Sequence, residues 1–109
     1  MRFLPKVLSA AACLCVVSAV ARDFTVVRDV VYSQSAGVAG VGDLYLPEGF
    51  SAGDPVVLCI HGGGWTAGDR ESFRGVAEFF ARDLGLPAFN VEYRLAPARR
   101  WPACKDDCV

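Results

Sequence analysis

Val56-Val57-Leu58-Cys59-Ile60, followed at once by His61-Gly62-Gly63-Gly64-Trp65, is the stretch that decides the fold. The five apolar residues, rich in β-branched side chains, predict a strand that is buried on both faces of a parallel sheet. Three consecutive glycines can adopt positive φ and bring bare backbone close to another group. A loop at the carboxyl end of such a strand lies where open α/β sheets bind ligands. We therefore expect main-chain N–H groups of this loop (residues 61–68, the glycine loop) to face a ligand.

Two further strands precede this stretch. Alternation of period two from Phe24 to Tyr32 predicts the first strand. One face of it is expected to carry four apolar or aromatic side chains: Phe24, Val26, Val30 and Tyr32. Val41 to Leu46 is predicted as the second strand, and turn-forming residues 33–37 between the two favour an antiparallel hairpin.

A helix and a fourth strand are predicted after the glycine loop. Asp69 is suited to cap the helix, and Gly85 is suited to end it. Between them an apolar stripe recurs at helical spacing: Phe73, Val76, Ala77, Phe80 and Leu84. Ala88 to Tyr93 is the next predicted strand, which completes a right-handed parallel βαβ unit, and a further helix is expected to start at Pro102. The predicted fold class is therefore α/β, with an antiparallel hairpin, one parallel βαβ unit and the start of another helix.

Two blocks of sequence resemble a known family. His61-Gly62-Gly63-Gly64 matches the HGGG run of lipases and esterases with the α/β-hydrolase fold. Asn90 to Pro97 is similar to the D-Y-R-L-A-P stretch of that family, with Glu92 where Asp is usual. Trp101-Pro102-Ala103 with Asp106 continues the pattern. The chain resembles the N-terminal part of these esterases, and most closely the acetyl-esterase and feruloyl-esterase-like (BD-FAE-like) members.

This resemblance implies a role for the glycine loop. The N–H groups of Gly63 and Gly64 would polarise an ester carbonyl, since a tetrahedral oxyanion needs donors already aimed at it. His61, Gly62 and Trp65 would support the loop, and His61 would not be the catalytic base. The implied substrate is a small-molecule or polysaccharide-linked ester, and no cofactor or metal is implied. Tyr93, Arg94 and Asp106 are assigned no catalytic role.

One G-x-S-x-G pattern occurs in the 109 residues, Gly49-Phe50-Ser51-Ala52-Gly53, but it lies in the polar loop before the Val56–Ile60 strand and not between a strand and a helix, as a nucleophile elbow does. Ser33, Ser35 and Ser72 lie in turn or helix-start contexts outside any such pattern. The order of the triad in this fold would place serine, acid and histidine beyond Val109. Because an oxyanion hole without nucleophile and base gives little turnover, this chain alone is expected not to hydrolyse esters.

Two other functions fit parts of the sequence. Gly62 to Ala67 matches the G-x-G-x-x-[G/A] pattern of a dinucleotide-binding module, and Glu92 could be its ribose-binding acid. Against that interpretation, the helix is expected to begin only after Asp69, and Trp65 occupies space that a pyrophosphate would need. The other alternative is a non-catalytic binding or interaction protein that keeps half of the fold.

Composition narrows the possible partners. The chain carries 11 Lys and Arg against 12 Asp and Glu, so there is no electrostatic case for nucleic acid. The single histidine lies inside the glycine motif, which argues against a metal site. Cys59 is expected to be a core thiol. Cys104 and Cys108 could meet on one helix face or pair elsewhere, so the disulfide state stays open.

The N-terminus has the pattern of a secretory signal. Basic residues precede the apolar run from Val7 to Val20, and Ala19-Val20-Ala21 fits the small-x-small cleavage rule. The run is too short for a stable membrane span, although a retained interfacial anchor is an alternative. We expect residues 1–21 to be cleaved and residues 22–109, an incomplete hydrolase domain, to be secreted or periplasmic.

The resemblance also implies a strand order of first, second, fourth, third and fifth. A fifth strand is not expected within these residues, so the strand from Val56 to Ile60 would be an open apolar edge. Helices that cover one sheet face would also be missing. The chain alone is therefore expected to be aggregation-prone or partly molten.

Overall fold

The computed structural model describes residues 21–109, so the predicted signal segment lies outside the described residues except for Ala21. In this part of the chain, strands and helices follow in the order β1 (Phe24–Val31), β2 (Val41–Pro47), β3 (Val57–Ile60), α1 (Arg74–Arg82), β4 (Ala88–Val91) and α2 (Ala103–Cys108). Two short 3-10 turns, Gly37–Ala39 and Glu71–Phe73, precede β2 and α1.

The four strands form one mixed sheet in the order β1-β2-β4-β3. β1 pairs with β2 and β2 with β4 in antiparallel fashion, whereas β3 and β4 are parallel. The predicted α/β class is confirmed, with its hairpin and its parallel βαβ unit. The parallel pair brings the carboxyl ends of β3 and β4 to the same edge of the sheet, where the glycine loop begins.

A bulge in β1 corrects the predicted face of that strand. Val26 is opposite Tyr45 and Val30 is opposite Gly42, so three residues separate the partners on β2 while four separate them on β1. Because side chains alternate along a regular strand, the extra residue moves Val30 to the opposite face from Val26. The single stripe predicted for β1 is therefore wrong beyond Val27.

Asp43 on β2 holds this bulge in place. Its carboxylate is 1% exposed and accepts a hydrogen bond from the backbone N–H of Asp29 at 3.2 Å. Guanidinium nitrogens of Arg28 and Arg70 each lie 3.2 Å from the same carboxylate. A buried carboxylate needs such partners, so Asp43 and the bulge depend on each other.

Helix α1 covers one face of the sheet and forms the core. The core side chains are Tyr45, Cys59, Ala77, Ala81 and Ala88. Asp69 caps the turn that leads into the helix, because its Oδ1 accepts from the Ser72 N–H at 2.8 Å. Gly85 has a φ of +65° after the helix, as expected of a terminating glycine. Leu84 was predicted in the apolar stripe, but it follows the end of α1 and is 50% exposed.

On the opposite face of the sheet, β3 is uncovered in the described residues. β3 pairs only with β4, as the implied strand order predicted. Leu58 is 49% exposed and Ile60 is 36% exposed, because no element of residues 21–109 packs over them. The prediction that this strand is buried on both faces is thus wrong for β3 within this chain, and Val56 lies just before the strand.

Candidate functional site

His61 is the first residue after β3 and the best-held residue of the glycine loop. It is 2% exposed. Its Nε2 lies 3.1 Å from Oε1 of Glu92, and its Nδ1 lies 2.9 Å from the carbonyl oxygen of Gly62. The ring stacks on Tyr93 with the centroids 4.2 Å apart. These contacts hold the imidazole in one position within the protein.

Tyr93 also holds the backbone of His61. Its hydroxyl donates to the carbonyl oxygen of His61 at 2.6 Å, and the tyrosine is 2% exposed. Burial, followed by the proximity of Cys108, raises the pKa of Tyr93 above its usual value. The hydroxyl therefore stays protonated and able to donate at neutral pH. The block from Asn90 to Pro97 therefore supports the glycine loop, because Tyr93 holds the backbone of His61.

Different loop positions require glycine for different reasons. Gly63 has a φ of +135°, and a Cβ there would lie 1.9 Å from the carbonyl oxygen of Ala67. Gly64 has a φ of +62°, but a Cβ there would meet nothing within 4 Å. At Gly68 a Cβ would lie 2.4 Å from the carbonyl oxygen of Gly62 and 2.8 Å from His61 Nδ1. Close approach therefore requires glycine at Gly63 and Gly68, whereas backbone conformation favours it at Gly64.

The loop folds back on the carbonyl oxygen of Gly63. That oxygen accepts hydrogen bonds from the N–H groups of Thr66 at 3.2 Å and Ala67 at 3.1 Å. The N–H groups of Gly63 and Gly64, in contrast, have no acceptor within residues 21–109. Both glycines are exposed. In the described part of the chain, the loop thus combines a fixed turn with unpaired main-chain donors, which include Gly62 and Trp65 as well as Gly63 and Gly64.

Trp65 follows the donors and is strained. Its φ of 66° lies in the left-handed region, which costs a non-glycine residue about 1–2 kcal/mol. The side chain is 43% exposed, so it is not a core residue. Its ring meets Tyr93 edge-on at 5.4 Å and Trp101 at 6.4 Å. A strained, half-exposed aromatic residue next to unpaired donors is typical of a functional loop.

Two contacts of this region were not found by sequence reasoning. Glu92 accepts from His61 as described, and its Oε2 also accepts from the backbone N–H of Arg70 at 3.3 Å. Arg94 binds Asp107, whereas Asp106, the residue singled out in the sequence, is half-exposed beside Lys105. The parallel pairing of β3 and β4 was a signal for the first contact, because it places residues 61 and 92 side by side.

Two clefts, each of about 460 Å³, open on the described surface. One lies at the base of the hairpin between Asp23 and Phe50, far from the glycine loop. The other is bordered by Gly68, Glu92 and Leu95, next to the loop but behind the free donors. Neither is lined by Gly63 or Gly64, so the donors face open solvent in this chain.

Three further observations on residues 21–109 concern metal binding, the cysteines and membrane insertion. No group of His, Cys, Asp and Glu side chains within residues 21–109 is arranged to hold a metal ion. Cys59, Cys104 and Cys108 are free thiols. In the same range, none of the helices has the length and apolar character that a membrane crossing requires.

The dinucleotide-binding alternative fits this geometry poorly. α1 begins at Arg74, well past the glycines, so no helix N-terminus faces the position a pyrophosphate would take. The carboxylate of Glu92 is engaged by His61 and Arg70 rather than free for a ribose.

Comparison with known proteins gives one consistent family. The sequence model of the BD-FAE family matches residues 42–109. The chain is 36% identical over 63 residues to the carboxylic ester hydrolase LipN of Mycobacterium tuberculosis, which covers 58% of this chain. It is 40% identical over 53 residues, 49% of this chain, to an ethyl acetate hydrolase of Pseudomonas putida. The crystal structure of esterase B from Lactobacillus rhamnosis superposes with a TM-score of 0.69 at 31% identity over 81% of this chain.

The match covers only a part of each relative. The chain spans 16% of the mycobacterial hydrolase, 17% of the ethyl acetate hydrolase and 28% of the esterase B chain. The likeness covers 58% and 49% of this chain in the two sequence comparisons and 81% in the structural one.

Proposed function

This chain belongs to the BD-FAE family, and we propose that its glycine loop is the oxyanion-binding part of a carboxylic ester hydrolase. Gly63 and Gly64 donate their N–H groups to the carbonyl oxygen of an ester as it becomes an oxyanion. The observation that carries this proposal is that both N–H groups lack an acceptor within residues 21–109 while the loop around them is fixed.

Fixed donors are worth more than mobile ones in this chemistry. Charge develops on the carbonyl oxygen only as the nucleophile attacks, so a donor that already points there lowers the barrier without reorganising. The turn closed on the Gly63 carbonyl and the buried His61 supply this rigidity. Removal of one such donor reduces kcat by roughly 10²–10³-fold in measured enzymes.

The loop contributes only one part of the reaction. The G-x-S-x-G pattern at Gly49–Gly53 lies in an exposed loop and not in a strand-to-helix elbow, and the single histidine lies against Glu92 and Gly62. A serine nucleophile with its acid and base would complete the site, and these residues do not supply them. Trp65 lies beside the acyl or alcohol group, and the substrate is a small acyl, aryl or polysaccharide-linked ester.

A chimera tests the donors. Residues 22–109 replace the matching segment of the Lactobacillus esterase B, and semisynthesis then replaces Gly63 or Gly64 by glycolate, which removes the N–H and adds no side chain. Each replacement is expected to lower kcat for 4-nitrophenyl acetate by about 10²-fold or more. The same replacement at Gly62 is the control. Turnover within twofold of the parent chimera after both replacements would reject the proposal.

The chain on its own provides a second test. Because Ser51 lies in an exposed loop and not in a nucleophile elbow, purified residues 22–109 are expected neither to turn over aryl acetates nor to react with a fluorophosphonate probe. Stoichiometric labelling of one serine would show that a nucleophile is present after all. An inactive chain that still binds a partner would instead favour the non-catalytic interaction protein.

We also propose that residues 1–21 are a secretory signal and that the mature chain starts at Arg22 in the periplasm or outside the cell. The basic start, the apolar run and the Ala-Val-Ala site support this. Mass spectrometry of the exported protein should give Arg22 as the first residue, and retention of Met1 would contradict it.

A further inference from the structure

Glu92 contacts the polypeptide on both sides of the glycine loop. Its Oε1 lies 3.1 Å from His61 Nε2, at the point where the chain leaves β3. Its Oε2 accepts from the N–H of Arg70 at 3.3 Å, where the chain enters the turn before α1. One carboxylate on the strand next to β3 therefore joins the beginning of the loop to its end.

Neighbouring contacts make this bridge rigid. Tyr93, the next residue, binds the carbonyl oxygen of His61 at 2.6 Å, so the imidazole and the backbone of His61 are held by consecutive residues. Asn90, two residues earlier, donates from Nδ2 to the carbonyl oxygen of Arg70 at 2.6 Å. Glu92 is 24% exposed while the His61 side chain is fully buried, so the carboxylate closes the pocket that holds the ring.

We propose that Glu92 is a positioning residue, whose carboxylate sets the spacing between His61 and Arg70 and thereby keeps the Gly63 and Gly64 donors in one orientation. This inference rests on the proposed function of the two glycines. Glu92 does not touch the reacting ester and has no catalytic role. It acts through two hydrogen bonds, and both require acceptor oxygens. A glutamine at this position has one acceptor oxygen instead of two, so it cannot serve both donors.

The test compares Glu92→Gln with Glu48→Gln, an exposed glutamate on the far side of the chain. Hydrogen exchange with mass spectrometry at micromolar concentration follows three amides of the loop region, those of Ala67, Arg70 and Ala96, which donate to Gly63, Glu92 and Trp65. In E92Q we expect exchange of the Ala67 and Arg70 amides to accelerate by about tenfold or more. The strand amides of β2 and β4 should keep their rates, as should all amides in E48Q.

The protonation of His61 Nε2 in the wild-type protein gives an independent test. An ionised carboxylate only accepts, so the contact with Glu92 requires a proton on His61 Nε2. His61 is the only histidine, so its ring signals in NMR spectra need no assignment. We expect a slowly exchanging Nε2 proton that moves or disappears in E92Q. An unprotonated Nε2 in the wild type would overturn the proposal, as would equal loop exchange in E92Q and E48Q, or acceleration spread evenly over the strands.

Failure of this inference differs from failure of the proposed function. A loop that loosens in E92Q, together with glycolate replacements that leave turnover unchanged, would retain Glu92 as a positioning residue and reject the donor role of Gly63 and Gly64. An unchanged loop in E92Q, together with a loss of turnover on glycolate replacement, would do the opposite.

Discussion

Arg94 and Asp107 form a forked ion pair that fastens α2 to the end of β4. Nη2 of Arg94 lies 2.6 Å from Oδ1 of Asp107, and its Nε lies 2.9 Å from Oδ2. The backbone N–H of Arg94 donates to the same carboxylate at 2.8 Å. The Asp107 side chain is 2% exposed, so its charge depends on these bonds.

Replacement of Asp107 by Asn should release α2. The neutral amide has one acceptor oxygen, so it cannot accept hydrogen bonds from both Nε and Nη2 of Arg94. Cys104 on that helix is 4% exposed and should become accessible. Alkylation of Cys104 by iodoacetamide, followed by mass spectrometry, is expected to be about tenfold faster than in the wild type. Asp106→Asn is the matched control, because Asp106 pairs only with the exposed Lys105 in the described residues. Equal labelling rates in the two variants would contradict the role of Asp107.

The glycine loop should discriminate sharply between two adjacent alanine substitutions. In Gly63→Ala the new Cβ would lie 1.9 Å from the carbonyl oxygen of Ala67, so the turn has to open. In Gly62→Ala no atom lies within 4 Å of the new Cβ. We expect protection of the Ala67 amide to be lost in G63A and to stay within about twofold of the wild type in G62A. Similar protection in both variants would mean that the close approach at Gly63 is absent in solution.

Alkaline pH should destabilise the fold through Tyr32. Its hydroxyl donates to the carbonyl oxygens of Ala39 and Glu92, and burial, followed by the charge of Asp107, raises the pKa of Tyr32 to about 12. The folded state therefore favours the protonated hydroxyl. This contribution is complete below pH 10, the ordinary tyrosine value, and is lost as the pH rises from about 10 to 12.

Circular dichroism in urea between pH 8 and pH 12 measures this loss. Burial also raises the pKa values of Tyr45, Tyr93, Cys59 and Cys108, so the wild-type decline is a sum over these groups and Tyr32. Tyr32→Phe should be less stable than the wild type at pH 8, and the difference should shrink toward pH 12. Parallel curves over the whole range would show that Tyr32 does not titrate with folding.

Local signals in the sequence were enough for the strands and the helix stop, and the resemblance supplied the strand order. Gly85 ends α1 as predicted because a glycine tolerates the positive φ of that position without help from distant residues. The stretch from residue 56 to 60 was correctly predicted as the strand before the glycine loop. These features depend on period, turn chemistry and the resemblance.

The bulge of β1 and the partner of Arg94 could not be predicted in this way. Alternation continues through Asp29 in the sequence, and only the buried Asp43 on the neighbouring strand makes an extra residue there favourable. Asp106 and Asp107 are adjacent carboxylates, so the choice between them depends on the rotation of α2 about its axis. Both outcomes are set by tertiary contacts.

Within the candidate site, residue types were predictable and their contacts were not. The glycines and His61 stand in a recognisable pattern, whereas the bridge from His61 to Glu92 joins residues 31 positions apart and needs the parallel pairing of two strands. The sequence does not predict that Trp65 is 43% exposed or that its backbone is left-handed.

The free edge of β3 gives the last prediction. Leu58 is 49% exposed on the open face of the sheet, and β3 has no second neighbour within residues 21–109. An apolar, uncharged edge is a template for pairing with other chains, so residues 22–109 alone should associate as their concentration rises and bind a hydrophobic dye. Leu58→Lys should lower dye binding and raise the soluble fraction, because it charges the edge without disturbing the core. Val57→Lys is the matched control: Val57 packs on the core under α1, so a lysine there should reduce solubility further. A monomeric wild-type chain that binds no dye would show that the edge is closed in solution.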